Sequence, residues 1–302
     1  MFKTPLFKIG RWALPALSLL AACASASPPL PKAPPAHPAL WKLSDDDTTI
    51  YLFGTIHVLR KDFQWRTRAI DKAVQASREL VLEVNDLQDQ DQTAKTFLKL
   101  AVSPDLPPVV ERVSPDKRAG IEALIDKAGL PVAILNRFES WAVAVTLASG
   151  MLKELDVSAE FGVENQLRAR FAKAKKPVSG LETTEEQLGL FDKLPEAAQR
   201  TFLSSMVDDA ADPAKEFNDM VSAWSQGDDK AIAMSFDDEL KLSPELVETL
   251  LRKRNANWTA WIEKRLEKPG SVFLAVGAGH LAGPDSVIAM LGKGKLKVVR
   301  VQ

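Results

Sequence analysis

The sequence predicts an α/β protein whose mixed central sheet is formed by its N- and C-terminal segments, with a large helical insertion between them at about 86–270. Short apolar runs rich in β-branched and aromatic residues stand near both ends and are typical of strands. Between them, apolar residues recur at steps of three and four, which indicates helices. The chain has 302 residues, so we expect one domain. Its 39 lysines and arginines balance 40 aspartates and glutamates, which argues against nucleic acid as a partner.

The first elements of this domain are predicted to be a hairpin and a strand-helix-strand unit. Strand-like segments at 41–43 and 48–53 flank a polar turn at 44–47, as in a hairpin. A helix is expected at about 66–77 and a strand at 79–84. A strand-helix-strand unit implies that its two strands pair in parallel through a right-handed crossover.

The insertion is predicted to be helical, with one short strand at 177–181. The segment Thr184-Glu-Glu-Gln187 has the pattern of a capping box at the start of the next helix. The sheet then resumes with a strand at 271–276, a helix that begins at Pro284 and an edge strand at 296–301. Further helices of the insertion are expected at about 195–207, 213–226, 230–240 and 245–266.

The N-terminus predicts a lipoprotein anchored to a bacterial membrane. Three basic residues precede an apolar run too short to span a bilayer, as in a secretory signal, which we assign to residues 1–22. The run ends in Leu20-Ala-Ala-Cys23, which resembles a bacterial lipobox whose cysteine becomes lipidated. Ala24 follows, as in lipoproteins sorted to the outer membrane. We therefore expect a periplasm-facing protein of the cell envelope, with an ordinary signal peptide as the alternative.

Residues 23–40 are predicted to be a proline-rich tether that holds the folded domain, residues 41–302, away from the membrane. His37 lies in the tether and is expected to be solvated. Cys23 is the only cysteine, so the mature chain has no internal disulfide, no thiolate ligand and no cysteine nucleophile.

Two histidines of the predicted domain follow apolar strands in the same way. Gly54-Thr-Ile-His57 ends one strand, and Gly277-Ala-Gly279-His280 ends another. Glycine at these positions lets the backbone bend and approach a ligand where a Cβ would collide. Ligands of open α/β sheets bind at the carboxyl ends of strands. We expect both imidazoles at one such site, against the alternative that each is a core histidine bonded to a carbonyl.

Glu83 interrupts an apolar strand, and a buried carboxylate needs a cation, a metal or hydrogen-bond donors to offset its burial. With His57 and His280 it forms a ligand set for a divalent metal, Mn²⁺, Co²⁺ or Zn²⁺, that keeps one position open for water. The alternative is that Glu83 pairs with a structural arginine or with backbone amides. The sequence lacks both the helical His-Glu-x-x-His motif and Gly-x-Ser-x-Gly, which disfavours those classes of hydrolase.

Two further carboxylates and one arginine are candidates for catalysis. Glu182 follows the short strand of the insertion, and Glu164 lies on a helix stripe that faces inward. Each is expected to act as a base or extra ligand, or else merely to cap or pair. Arg254 is expected to stabilise an oxyanion or to neutralise Glu83. Trp258, on the same helix as Arg254, is assigned to core packing.

Six short motifs stand in order along the chain: Gly54-Thr-Ile-His57, Leu82-Glu83, Phe161-Gly-Val-Glu164, Gly180-Leu-Glu-Thr183, Arg254-Asn255 and Gly277-Ala-Gly-His280. Together they resemble the TraB/GumN family, which is similar to the Tiki proteins of animals. The resemblance implies a fold of the erythromycin esterase-like and ChaN-like group. By analogy with Tiki, it implies peptide-bond hydrolysis that depends on a divalent metal, His57, His280 and Glu83. Bacterial members are linked to exopolysaccharide gene clusters or to inhibition of a peptide pheromone.

We therefore expect a lipid-anchored, metal-dependent hydrolase of the cell envelope that acts on peptides or other small substrates. In this hypothesis Glu164 or Glu182 moves the proton, and Arg254 stabilises the developing negative charge. Two alternatives stay open. One is a non-catalytic envelope protein that binds a peptide or an exported polysaccharide, and the other is an esterase.

Overall fold

A mixed sheet of six strands lies at the centre of the computed structural model, which describes residues 35–240 and 243–302. The predicted signal peptide, Cys23 and most of the predicted tether lie outside the described residues. The mixed α/β class predicted from the sequence is confirmed. The strands are β1 Leu40–Ser44, β2 Thr48–Thr55, β3 Glu79–Val84, β4 Val178–Glu182, β5 Gly270–Gly277 and β6 Val298–Arg300.

The strand order is β4-β3-β5-β2-β1-β6, so the last long strand of the chain occupies the middle of the sheet. β1 and β2 form the predicted antiparallel hairpin, and β6 pairs with β1 at the predicted edge. β5 is parallel to both β2 and β3, with Thr55 opposite Gly277. The predicted direct pairing of β2 with β3 is wrong, because β5 lies between them. The crossover fixes the direction of β3, but the place that β5 fills cannot be read from local sequence.

Both faces of the sheet are covered by helices, which explains the continuous apolar runs of β3 and β5. On one face Phe53, Leu82 and Phe273 pack under the helices around Leu167 and Trp224. On the opposite face, Leu52, Val81 and Leu274 of the strands pack under the helix that carries Trp258 and Ile262. Leu291, from the last helix, belongs to the same core. The alternation of side chains along each strand therefore divides one sheet between two cores.

The helices of the described residues fall mostly between β3 and β5, where the insertion was predicted. Part of the insertion has its own core, built around Phe97, Trp141 and Leu203. The helices are α1 Arg68–Ala76, α2 Gln90–Ala101, α3 Arg118–Ala128, α4 Val132–Leu135, α5 Ser140–Leu152, α6 Val163–Lys173, α7 Thr184–Asp192, α8 Glu196–Asp209, α9 Pro213–Ser225, α10 Asp229–Leu240, α11 Pro244–Leu246, α12 Lys253–Leu266 and α13 Val287–Lys293.

Three predicted helix boundaries differ from the structure. The helix expected at 245–266 is divided, because a π-helical segment, Val247–Arg252, precedes α12. The capping box lies one residue earlier than predicted, since Thr183 caps α7 and Glu186 returns the bond. The last helix begins after Ser286 rather than at Pro284, because the Ser286 hydroxyl accepts the amide of Ala289 at 3.1 Å.

The end of the predicted tether belongs to the folded domain. Ala36 and Ala39 are buried, and the amide of His37 donates to the carbonyl of Ser225 at 2.6 Å. The His37 side chain is exposed, as expected for a solvated residue. Within residues 35–240 and 243–302, no helix is long and apolar enough to cross a membrane.

Candidate functional site

A pocket of about 260 Å³ opens at the carboxyl ends of the three central parallel strands β2, β3 and β5. This is the edge at which open α/β sheets bind ligands. The structure brings both predicted histidines and the predicted strand carboxylate to this pocket. Its lining is His57, Glu83, Gln187, Leu190, Phe191, Leu250, Arg254, Gly277 and His280.

His57 follows β2 and is held by a carboxylate from α6. Its Nδ1 lies 2.6 Å from Oε1 of Glu164, and the Thr55 hydroxyl donates to the same oxygen at 2.5 Å. The bond to Glu164 directs Nε2 toward the pocket. The charge of Glu164 raises the pKa of His57 to about 9. However, 66% of the side chain is exposed, so solvent screens this ion pair.

His280 lies in the 3₁₀ turn Ala278–Leu281 that follows β5, and only 11% of its side chain is exposed. Its Nδ1 lies 2.7 Å from Oδ1 of Asn255, whose amide nitrogen donates to the carbonyl of Asp285 at 2.8 Å. Because that bond fixes the amide orientation, Oδ1 accepts a hydrogen bond from Nδ1–H of His280, and Nε2 carries the lone pair. Burial lowers the pKa of His280 to about 4.

Glu83 is the buried carboxylate between the two histidines. Its Oε1 accepts the Gly277 amide at 2.5 Å, and its Oε2 accepts Nη2 of Arg254 at 2.8 Å and Nε2 of Gln187 at 3.2 Å. Burial disfavours the carboxylate, but His280, the Arg254 guanidinium and the Gly277 amide outweigh it and lower the pKa of Glu83 to about 2. The site therefore contains a carboxylate at neutral pH.

The Glu83 carboxylate and the two imidazoles converge around Gly277. A methyl group on Gly277 would lie 3.1 Å from Oε1 of Glu83, and 3.6 Å from both Nε2 of His57 and Cδ2 of His280. Similarly, a Cβ on Gly54 would lie 3.0 Å from Cα of Ala278. Gly54, Gly277 and Gly279 all have negative φ, so close approach rather than turn conformation explains the first two of these glycines.

Arg254 is the centre of the buried charge network, and all five of its N–H groups have acceptors. Nε and Nη2 donate to Glu182 at 2.9 Å, and Nη2 also bonds Glu83. Nη1 donates to the Leu250 carbonyl at 3.3 Å and to Nε2 of His280 at 3.0 Å. Of the two roles expected for Arg254, neutralisation of Glu83 is visible in these contacts. In this arrangement no N–H remains for an oxyanion.

The donor types at the site fit a divalent metal, but their present positions do not enclose one. Nε2 of His280 and Oε1 of Glu83 are 3.9 Å apart, against about 3.4 Å for two ligands of a tetrahedral ion. The Nε2 lone pair of His280 already accepts Arg254. Among residues 35–240 and 243–302, no group of three or more His, Cys, Asp or Glu side chains has a geometry that could hold a metal ion.

Glu164 and Glu182 do not line the pocket but lie behind it. Glu164 bonds Thr55 and His57, while Glu182 accepts Arg254 and Nε1 of Trp258, the latter at 3.0 Å. Trp258 is buried as predicted. Its ring also lies 4.4 Å from the His280 ring and 4.7 Å from the guanidinium of Arg254. These contacts fix the groups that do reach the pocket.

Four residues that shape the site were not assigned to it in the sequence analysis. Asn255 is adjacent to Arg254 in its motif, and the expectation that a buried histidine needs a partner at Nδ1 could have singled it out. Gln187 was assigned to a capping box, but the box lies one residue earlier and leaves Gln187 to bond Glu83. Thr55 lies inside the first histidine motif. Gly162 is required where α6 begins, because a Cβ there would collide with the carbonyl of His57.

The fold and the site define an α/β protein with paired histidines and a buried carboxylate–arginine network at one edge of its sheet. The chain belongs to the TraB/PrgY/gumN family, whose sequence model matches residues 39–300, and this confirms the predicted family. It is 25% identical over 246 residues to the uncharacterized protein YbaP of Escherichia coli (strain K12), an alignment covering 80% of this chain and 87% of YbaP. It is 22% identical over 275 residues to an uncharacterized protein of Treponema pallidum (strain Nichols), covering 85% and 80%. No solved structure matches the chain.

Proposed function

We propose that the protein is a metal-dependent hydrolase that cleaves peptides in the cell envelope. The observation that carries the proposal is the convergence of His57, Glu83 and His280 around Gly277. Each imidazole is held at Nδ1 by a neighbouring acceptor. Nε2 of His57 is left directed at the pocket, and Nε2 of His280 lies against Arg254 in the pocket lining. A partner at Nδ1 is the arrangement that protein ligands of metals adopt, because the outer partner fixes the tautomer.

His57, His280 and Glu83 are the residues that would hold the ion. Two imidazoles and one carboxylate suit Mn²⁺, Co²⁺ and Zn²⁺, so the donor set does not select among them. When bound, such an ion activates water and polarises a scissile carbonyl. His280 and Glu83 have the protonation states that coordination needs at neutral pH, whereas His57 must first lose the proton that Glu164 stabilises.

Arg254 must move for His280 to coordinate, because its Nη1 occupies the Nε2 lone pair. Coordination through that lone pair would leave one Nη1–H of Arg254 without an acceptor beside the pocket. The bonds to Glu182 through Nε and Nη2 retain the guanidinium nearby. A freed donor in this position is suited to stabilise an oxyanion, which is the second role predicted for Arg254.

The remaining carboxylates position other groups in this proposal. Glu164 orients His57, and Glu182 orients Arg254, because neither reaches the pocket in the present arrangement. Of the glutamates at the site, Glu83 is the one that lines the pocket. It is therefore the carboxylate that would serve as a ligand of the ion.

The anchor is proposed on the sequence alone. Lipidation of Cys23 after removal of residues 1–22 would attach the domain to the outer membrane through its proline-rich tether. Replacement of Cys23 by serine is then expected to release the protein from the membrane fraction. Retention of the Cys23→Ser protein at the membrane would contradict lipid anchoring without bearing on the pocket.

The decisive experiment measures metal content and peptide cleavage on the same samples. The mature chain, His57→Ala and His280→Ala are compared, with His37→Ala as a matched control outside the pocket. We expect both pocket variants to lose roughly tenfold or more in metal affinity, and chelator to abolish cleavage that added metal restores. Unchanged metal content in both pocket variants would contradict the proposal.

One observation favours a second candidate, a non-catalytic protein that binds a peptide or an exported polysaccharide. Arg254 already satisfies Glu83, Glu182 and His280, so the site is electrostatically complete without an ion. In that case ligand binding survives chelator, and no product forms when metal is added. The same samples therefore separate the two candidates.

A further inference from the structure

The pocket has one polar wall and one apolar wall. His57, Glu83, Arg254 and His280 form the polar wall at the strand ends. The apolar wall consists of three half-buried side chains, two from α7 and one from the π-helical segment: Leu190, Phe191 and Leu250. Pockets with an apolar lining and a few convergent polar groups are typical of sites that orient a ligand at one end.

The apolar wall is supported by packing behind it. The Phe191 ring stacks between Trp141, at 6.0 Å and 22°, and Phe202, at 5.7 Å and 27°. Phe191 and Leu250 also pack against the small core around Leu246. Rings held on two sides keep their rotamers, so the wall is preformed rather than collapsed into the pocket.

The position of Leu250 depends on the π-helical segment, Val247–Arg252, which directly precedes the helix of Arg254. π-Helical turns are uncommon and occur frequently at functional sites. Here the Leu250 side chain lines the pocket while its carbonyl accepts Nη1 of Arg254 at 3.3 Å. Leu250 therefore connects the apolar wall to Arg254 in the polar wall.

We propose that the apolar wall is a specificity subsite for one apolar side chain, such as leucine, methionine or phenylalanine, next to the bond that is cleaved. The inference rests on the proposed function. The pocket's 260 Å³ is below the roughly 300–1,000 Å³ of pockets for drug-sized ligands, so a single residue of the peptide enters. A polar or charged side chain there would lose its hydrogen bonds to water without replacement.

Hydrolysis adds the hydroxide of water to the acyl carbon and its proton to the leaving amine, so the step needs no other reactant. The subsite acts by placing the amide of the substrate against His57, Glu83 and His280. An apolar subsite of this kind discriminates by roughly 10- to 100-fold in kcat/KM between side chains that fill it and those that do not.

The test uses the mature chain with Mn²⁺ and the acetylated pentapeptide amides Gly-Ala-Xaa-Ala-Gly, where Xaa is Leu, Met, Phe, Ser, Asp or Lys. We expect the peptides with Leu, Met or Phe to be cleaved roughly 10- to 100-fold faster than the Ser peptide. Leu250→Ala should reduce that preference roughly tenfold. Leu98→Ala, an exposed leucine on α2, is the matched control and should leave it unchanged.

Leu250→Asp protects the test against a variant that fails to fold. It is expected to transfer the preference to the Lys peptide, a gain that misfolding cannot produce. Peptide binding is also measured in EDTA by NMR, with the same six peptides. Preferential binding of the Leu peptide without cleavage would support the subsite while contradicting the hydrolase.

The remaining outcomes are equally distinct. Cleavage of all six peptides at similar rates would overturn the subsite and leave the hydrolase intact. A preference for Leu that is the same in the mature chain, Leu250→Ala and Leu250→Asp would also overturn it. Neither cleavage nor binding of any peptide would contradict both proposals.

Discussion

The two Gly-x-x-His segments place their histidines in opposite environments at the same edge of the sheet. His57 has 66% of its side chain exposed, bonds the carboxylate of Glu164, and has its pKa raised to about 9. His280 has 11% exposed, bonds the neutral amide of Asn255, and has its pKa lowered to about 4. In the metal-free protein, one imidazole is therefore a cation at neutral pH and the other is neutral.

The motif therefore determines where each imidazole lies, while its neighbours determine its charge. Both motifs use glycine to bring a strand end close to another part of the site. The partner at Nδ1 is a carboxylate in one case and an amide in the other, and only His280 has a guanidinium against Nε2. Substitutions on each side of the site test whether these neighbours set the contrast.

The largest effect is expected from Arg254→Met, which removes the cation on the His280 side. It leaves Glu83 and Glu182, both nearly buried, without their partner. Loss of one partner from a buried ion pair costs about 3–5 kcal/mol, and we expect a loss of that order in the free energy of unfolding. Denaturant unfolding of the metal-free protein provides the measurement.

Arg252→Met is the control for that change. Arg252 is half exposed and pairs with Asp285 at 2.7 Å, so its loss should cost less than about 1 kcal/mol. Equal costs for Arg252→Met and Arg254→Met would show that burial of the Arg254 network does not carry the predicted energy.

An intermediate effect is expected from Gly277→Ala, which crowds the point where the two sides meet. The new methyl would lie 3.1 Å from Oε1 of Glu83, which cannot retreat because the amide of Gly277 and the guanidinium of Arg254 hold that carboxylate. We expect a loss of about 1–3 kcal/mol in the free energy of unfolding, as for other overpacked sites. In NMR spectra, the ring resonances of the exposed His57 should shift more than those of the buried His280.

Gly292→Ala is the matched control, because a Cβ on this glycine of α13 meets nothing within 4 Å. It should leave stability unchanged or raise it by up to about 1 kcal/mol, as alanine favours helix over glycine. A Gly277→Ala protein as stable as Gly292→Ala would contradict the close convergence at Gly277.

The smallest effect on stability is expected from Glu164→Gln, which removes the carboxylate on the His57 side. The pKa of His57 should fall from about 9 toward about 6.5, as followed by NMR titration without metal. A raised pKa contributes stability that is complete below about pH 6.5 and is lost as pH rises through about 9, so Glu164→Gln should remove this slope. Because 66% of the His57 side chain is exposed, solvent screens the pair and makes both the fall in pKa and the loss of stability smaller than a fully buried pair would give.

Glu160→Gln, at an exposed glutamate of the preceding turn, should leave the His57 titration unchanged. The converse exchange, Asn255→Asp, gives His280 a carboxylate partner and should raise its pKa above about 4. His280 has the opposite sign of pH dependence: its contribution is lost as pH falls from about 6.5 toward 4. Unmoved titrations in both variants would mean that these partners do not set the contrast.

Most of the sheet could be predicted from the sequence because its signals are local. Alternating or continuous apolar runs predicted the hairpin, β3, β4 and β5 within a few residues. The place of β5 between β2 and β3 could not be predicted, since it depends on pairing across about 190 to 220 residues of the chain. The division of the helix at Val247–Arg252 also has no local signal that we can identify.

The histidines and the strand carboxylate of the site could be predicted from the sequence, but the hydrogen bonds that hold them could not. His57, Glu83 and His280 were found because each departs from an apolar strand or ends one beside glycine. The saturation of Arg254 could not be foreseen, because its bonds join α12 to β3, β4, the turn after β5 and the π-helical segment. Such a network depends on tertiary packing, which no spacing in the sequence encodes.

The central position of β5 also constrains how the polypeptide acquires its structure. Until residues 270–277 are available, β2 and β3 each expose an unpaired edge. The apolar faces of the sheet then lack the side chains of the central strand β5. Pairings so distant along the chain slow folding, because closure of the long intervening loop precedes any gain from contact. A nascent or truncated chain that stops before Gly270 is therefore expected to resemble an aggregation-prone intermediate. In the cell, we expect such a chain to depend on chaperones.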